Sequence, residues 1–242
     1  RCFRATPTPI RPRTNRQVMS IDLLLEESVE SFDANARHMA AVGANVAVAG
    51  DATYFSAKLV KGDEPIIDTI VNAVIPRAGD NWVYYCYNAE YLFYPFCETR
   101  TVGELLAFHT EERRDAMLTY VVDLYADDLG AAPNAVSLDN AFLDRSGYYA
   151  LARPDGTPDN HPKERQLDFF GGLRWRFEEH VPAARRKIDR ISLFRAKPGL
   201  RMRDDHTFTD EEYNTYACPW HHNITASICS FRTAKALKSN PG

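Results

Sequence analysis

NWVYYCYNAEYLFYPF, residues 81–96, opens as a strand, since Trp82 to Tyr87 are aromatic, β-branched or apolar with no turn former among them. Helical periodicity flanks it on both sides. Upstream, EPIIDTIVNAVI (64–75) predicts a helix that PRAGD (76–80) breaks. Downstream, TVGELLAFHTEER (101–113) predicts a second helix, with Thr101 and Glu104 spaced as a capping box, and AMLTYVVDLYAD (116–127) a further strand. Before these, VMSIDLLLEES (18–28) reads as a strand, alone or running into a helix, and SVESFDANARHMAAVG (28–43) as a helix stopped by Gly43. NVAVAGD (45–51) reads as a buried parallel strand that delivers Asp51 at its carboxyl end. Strands alternating with helices predict an α/β fold: a Rossmann-like, mostly parallel sheet flanked by helices, in a single domain over 18–242. From about residue 130 to 170 the chain is rich in Asp, Gly, Pro and Asn and reads as a long loop or inserted lobe. RISLFRA (190–196) predicts a strand and ITASICSFRTAKALKS (224–239) a closing helix.

The chain has 242 residues, 45% of them hydrophobic and 26% charged, enough to bury a core and outside the composition of disordered chains. No run approaches the roughly 18 apolar residues of a membrane helix. A net charge of -4 argues against a dedicated nucleic-acid or membrane-surface binder. Five cysteines without C-x-x-C spacing indicate neither a zinc site nor a complete disulfide framework, so a reducing, cytoplasmic setting is expected. Residues 1–17 read as a basic arm rich in Pro and Thr, the remnant of an organellar presequence or the tail of a processed fragment.

Ligands of open α/β sheets bind beyond the carboxyl ends of strands, so the residues after each strand carry the candidates. Asp51 suits an acceptor for a nucleotide ribose or base, and equally a turn or cap. Glu90 suits a cation or a substrate contact, or a solvated loop position. Tyr84, Tyr85, Tyr87, Tyr91 and Tyr94 can stack on sugar or base rings or simply pack the sheet. In DFFGGLRWRF (168–177), paired glycines allow close backbone approach. Arg174 and Arg176 would share a face of an extended segment and clamp a diphosphate, unless Asp189, Glu178 and Glu179 neutralise an arginine-rich surface. His206, His221 and His222 lie late in the chain, and at most one of the adjacent pair faces a given site. No Walker A loop, nucleophile elbow or H-E-x-x-H occurs.

In order, these pieces resemble a family-2-type glycosyltransferase of GT-A fold, over about residues 20–238. AAVG and VAVAGD are similar to the helix and strand before that family's nucleotide-binding D-N-G-S, with Asp51 in place of its Asp. DNWVYYCYNAEYLFYP resembles W-V-x-x-x-D-A-D-E-F-L-x-x-P, the stretch carrying the metal-binding D-x-D. LTYVVDLYAD, DFFGGLRWRF and KIDRISLFRA resemble later segments, and HHNITASICSFRTAKAL an H-Y-x-x-K-S-like motif with His222 as its His. The resemblance implies transfer of a sugar from a nucleotide-sugar donor to a glycan or other hydroxyl acceptor. Asp51 would meet the nucleoside, Arg174, Arg176 and His222 the diphosphate, and Glu90, with His222, a Mn2+ or Mg2+ ion. Both D-x-D aspartates are replaced, by Tyr87 and Ala89, so the transfer would be metal-independent, or the domain an inactive binding or assembly module with a protein partner. No catalytic base is singled out; Asp155, Asp159, Asp204 and Asp205 lie in acceptor-side loops.

Overall fold

A computed structural model describes residues 19–23, 67–87, 90–128, 130–132, 135–137, 139–215 and 226–239. The arm over 1–17, the helix over 28–43, the strand over 45–51, Ala89, Asp51 and His222 lie outside them. The fold is α/β. Its strands are β1 (Met19–Leu23), β2 (Trp82–Tyr87), β3 (Glu90–Phe93), β4 (Ala116–Ala126), β5 (Ala141–Leu143), β6 (Tyr149–Pro154), β7 (Pro162–Phe170), β8 (Asp189–Arg195) and β9 (Ala226–Ser230). The helices are α1 (Ile67–Ala78), α2 (Val102–Glu111), α3 (Leu173–Arg176) and α4 (Arg232–Ser239).

The main sheet runs β1-β2-β8-β4-β9-β3, with β5 added on β4, and it is mixed rather than mostly parallel. β1–β2 and β4–β9 pair parallel, whereas β2–β8, β4–β8, β3–β9 and β4–β5 pair antiparallel. A parallel neighbour needs a crossover of a dozen residues or more. The step from β1 to β2 carries α1, but β8 returns from β7 through the single-turn α3 and two short 3-10 turns and pairs antiparallel on both sides. The sheet curls enough that β3, at the end far from β1, begins only three residues after β2 stops.

Both faces are covered. Along β2, Trp82, Tyr84 and Cys86 pack with Val102, Leu105 and Leu106 of α2, while Val83 and Tyr85 pack with Val71, Val74 and Ile75 of α1. This period-two division explains why the strand is apolar on successive residues. The capping box at the start of α2 is present: Thr101 Oγ1 accepts from the Glu104 amide at 3.2 Å, and a Glu104 carboxylate oxygen accepts from the Thr101 amide at 2.8 Å. α1 differs from its expectation, because Pro76 lies inside the helix, which ends at Ala78 before Gly79.

The region read as a long loop or inserted lobe, 130–170, holds β5 and the β6–β7 hairpin; β6 is exposed yet apolar over Tyr149–Ala152 and β7 is polar over Lys163–Gln166, so neither strand alternates apolar with polar residues. The closing segment is not one helix: β9 ends at Ser230, and α4 starts at Arg232 with its amide 3.3 Å from Ser230 Oγ. DFFGGLRWRF is not extended throughout. β7 stops at Phe170, and Gly171 and Gly172 turn the chain into α3, so Arg174 and Arg176 share no strand face.

Candidate functional site

β1, β2, β4 and β9 point the same way, so their carboxyl ends share an edge, and antiparallel β3 and β8 begin there. The register sets Glu90 beside Ser230 and Ser230 beside Asp123 across β3, β9 and β4. Tyr87 ends β2, Arg190 is the second residue of β8, and Arg232 opens α4 just past β9.

Glu90 is 1% exposed and anchors the cluster. Arg190 grips it as a fork, Nη2 donating to Oε2 at 2.6 Å and Nη1 to Oε1 at 3.2 Å. The Tyr87 amide donates to Oε2 at 2.9 Å and Ser230 Oγ to Oε1 at 3.3 Å, while Arg232 Nη1 stands 3.9 Å from Oε1. Burial alone would push this carboxyl up, but Arg190, Arg232 and the Tyr87 amide together hold it below the ordinary glutamate range. Burial likewise opposes charge on Arg190, which is 5% exposed, and the adjacent carboxylate more than offsets it.

Aromatic rings line the cations. The Arg232 guanidinium lies 3.6 Å from the Tyr87 ring centre, and that of Arg190 lies 5.4 Å from Tyr87 and 5.3 Å from Tyr85. The Tyr85 hydroxyl is hydrogen-bonded to His206 Nδ1 at 3.0 Å. Burial, then the charge of Arg190, pushes His206 down to about 3, so it is neutral at ordinary pH. The Arg232 side chain keeps 30% of its surface exposed and is the solvent-facing cation of the cluster.

A second pair lies alongside. Asp123, fully buried, receives Arg174 Nε at 3.2 Å on each oxygen and Thr233 Oγ1 at 2.8 Å. Burial raises its pKa, although Arg174 and Thr233 counteract the rise. Arg174 Nη1 also donates to the Lys187 carbonyl at 2.6 Å, so Arg174 is neutralised and fixed rather than free to clamp a ligand. Arg176 goes elsewhere, pairing with Asp144 over the Tyr125 ring.

Of the residues singled out from sequence, Glu90 and Arg174 reach this edge, Arg176 turns to a neighbouring carboxylate, and Asp51 and His222 lie outside the described residues. Asp155 caps its own turn by accepting from the Thr157 amide and hydroxyl, and Asp205 accepts from Thr207 while standing 3.7 Å from Lys187. The described residues do not suit a divalent ion. Both Glu90 oxygens are engaged, Tyr87 and not a carboxylate ends β2, and no group of three or more Asp, Glu, His or Cys among the described residues could hold a metal.

Asp123 and Arg232 were not singled out, and Arg190 only as one of the basic residues that follow DFFGGLRWRF. Asp123 carried a signal, a carboxylate inside the apolar strand 116–127 where it requires a partner, whereas Arg232 carried none, because 224–239 reads as one helix. No protein-family model, curated protein or solved structure matches the chain.

Proposed function

We propose that this protein transfers a sugar from a nucleotide-sugar donor to an acceptor hydroxyl, with guanidinium charge in place of a divalent ion. The observation that carries the reading is the charge count at the carboxyl edge: Arg190 and Arg232 converge on one carboxylate, Glu90, leaving one positive charge beside the partly exposed Arg232. A diphosphate seated there meets a cation whose position is set by the Tyr87 ring and the Glu90 anchor. As the bond between the sugar carbon and the diphosphate oxygen breaks, the electron pair stays on the diphosphate, and Arg232 stabilises that growing charge. The acceptor oxygen forms the new bond to the sugar carbon, and its proton passes to the departing diphosphate, so the products are the glycosylated acceptor and the nucleoside diphosphate. Asp51 and His222 keep the nucleoside and diphosphate contacts that the family resemblance implies. The reaction is placed in the cytoplasm on the sequence reading alone, five cysteines without C-x-x-C spacing.

Calorimetry with UDP-sugars and GDP-sugars, with and without manganese, tests the reading. Manganese-independent binding that Arg232→Ala weakens about tenfold or more, the scale of one charged hydrogen bond, supports it. Absence of binding to every donor refutes it.

A second reading, an inactive domain that binds a partner, is favoured by one observation: the carboxylates at this edge, Glu90 and Asp123, are each engaged with an arginine. Donor binding without turnover on any acceptor would select it.

A further inference from the structure

We propose that His206 is a positioning residue for the arginine pair: through Tyr85 and Tyr87 it fixes where Arg232 presents its charge at the carboxyl edge. The chain of contacts is independent of the transfer reading above; only the naming of a diphosphate as the ligand rests on it. The backbone at His206 is the first observation. The Arg203 amide donates to the Thr207 carbonyl at 2.7 Å, the His206 amide donates to the Arg203 carbonyl at 3.2 Å, and Met202 bridges Phe208. Residues 204–206 therefore form a hairpin loop whose last member is left-handed, a place that suits glycine or asparagine. A histidine stands there, at φ 64°.

The loop closes without the imidazole, since Asp205 accepts from the Thr207 amide at 3.1 Å and from its hydroxyl at 2.6 Å. The ring serves β2 instead. Its Nδ1 is hydrogen-bonded to the Tyr85 hydroxyl at 3.0 Å, and it lies 9° from parallel to Tyr85 with centroids 6.1 Å apart. It meets the Tyr87 ring at 79°, with centroids 6.4 Å apart. A strained backbone kept at a residue whose side chain reaches a site is the pattern of a functional position.

Tyr85 and Tyr87 are the rings that carry the cations. Two residues apart on β2, they share a face of the strand. The Arg190 guanidinium lies 5.3 Å and 5.4 Å from their centres, and that of Arg232 lies 3.6 Å from Tyr87. The β2–β8 register covers Trp82 to Tyr84 and stops short of both rings, so the ladder with β8 does not fix them. The prop must also be neutral, because a further cation would repel Arg190 and Arg232 alike. Burial, then the charge of Arg190, holds His206 down at about 3, so the imidazole meets that condition at ordinary pH.

The test compares the full chain with His206→Gly, which suits the left-handed backbone, and Tyr85→Phe, which removes only the hydroxyl. The first readout needs no ligand: the Arg232 Nε–Hε NMR signal, assigned by its loss in Arg232→Lys. A proton held over an aromatic face is displaced upfield, so the parent signal lies upfield of those of exposed arginines. It moves at least halfway back in His206→Gly, and in the same direction in Tyr85→Phe. The second readout is pyrophosphate affinity by calorimetry, which falls about fivefold or more in His206→Gly, the double variant being no weaker than the weaker single because both break one link. An Arg232 signal that moves as expected, in a chain that binds neither pyrophosphate nor a nucleotide-sugar, supports the positioning role while removing the transfer reading. The inference is overturned if the Arg232 signal stays in place in His206→Gly, whether or not affinity falls. If His206→Gly does not fold, Tyr85→Phe decides by the same signal, and an unmoved signal overturns the inference.

Discussion

Replacing Glu90 by Gln isolates the central electrostatic argument. The amide keeps the size and shape of the side chain but removes the only negative charge between Arg190 and Arg232. Arg190 is 5% exposed and cannot turn to water, so it becomes a buried cation facing a second one. Removing one partner of a buried pair costs about 3–5 kcal/mol. With a urea dependence of about 3 kcal/mol per molar, the unfolding midpoint of Glu90→Gln falls about 1–1.7 M below that of the parent at pH 7. The pH dependence gives an independent check. Because the native pKa of Glu90 lies below its ordinary 4.5, its contribution is complete above about that value and is lost as acid titrates the native carboxyl. The gap between parent and variant therefore narrows as pH falls below 4.5. A companion variant, Glu90→Leu with Arg190→Met, recovers most of the loss, because an apolar pair needs no neutralisation. A midpoint shift under about 0.3 M, or a gap that does not narrow in acid, would refute the claim that Glu90 holds the guanidinium cluster together.

Other substitutions probe the same framework. His206, held at about 3 against an ordinary 6.5, refuses a proton that the unfolded chain accepts, so stability falls as pH drops from 6.5 toward 3; His206→Phe flattens that limb in urea melts. Thr101→Ala removes the α2 cap and costs about 1 kcal/mol by thermal unfolding at neutral pH, with nucleotide binding intact. Phe96 is 67% exposed at φ 67°, a left-handed conformation that strains an aromatic residue, so Phe96→Gly is at worst neutral and stabilises by up to about 1 kcal/mol by urea titration. Gly171→Ala puts a Cβ within 2.2 Å of the Tyr148 ring on a backbone at φ 153°, so it costs about 1–3 kcal/mol by urea titration; an unchanged midpoint would refute the close approach.

Local signals were legible in the sequence and long-range ones were not. The strand at 82–87 and the capped helix after it were readable because period, cap and turn residues are encoded within a few positions. The mixed sheet was not, because the direction of β8 depends on which strands it joins, and its partners lie more than 70 residues earlier at Thr119 and more than 100 earlier at Val83. The hairpin of β6 and β7 escapes notice for a different reason: β6 is a run of apolar residues on an exposed strand and β7 a run of polar ones, so no apolar alternation announces either. Glu90 was marked as a residue of interest, but its burial depends on an arginine 100 positions away.

The chemistry of the edge follows from what stands at the end of β2. With a tyrosine there and no carboxylate, the edge lacks the anionic oxygens that would draw a divalent cation, and it presents a flat π face. A guanidinium can use that face, and Arg232 does. Glu90 is then free to bind Arg190, which costs far less desolvation as a forked pair than either group alone in the same strands. Tyrosine, glutamate and two arginines thus form one consistent set: two cations, one anion, and an aromatic support that leaves the surplus charge at the solvent side. Placing an aspartate there, Tyr87→Asp, would neutralise that surplus and remove the support of Arg232 without building a metal site, since Glu90 stays engaged. Donor affinity should therefore fall, and added manganese should not rescue it; rescue by manganese would mean that the arginine set is not what binds the diphosphate.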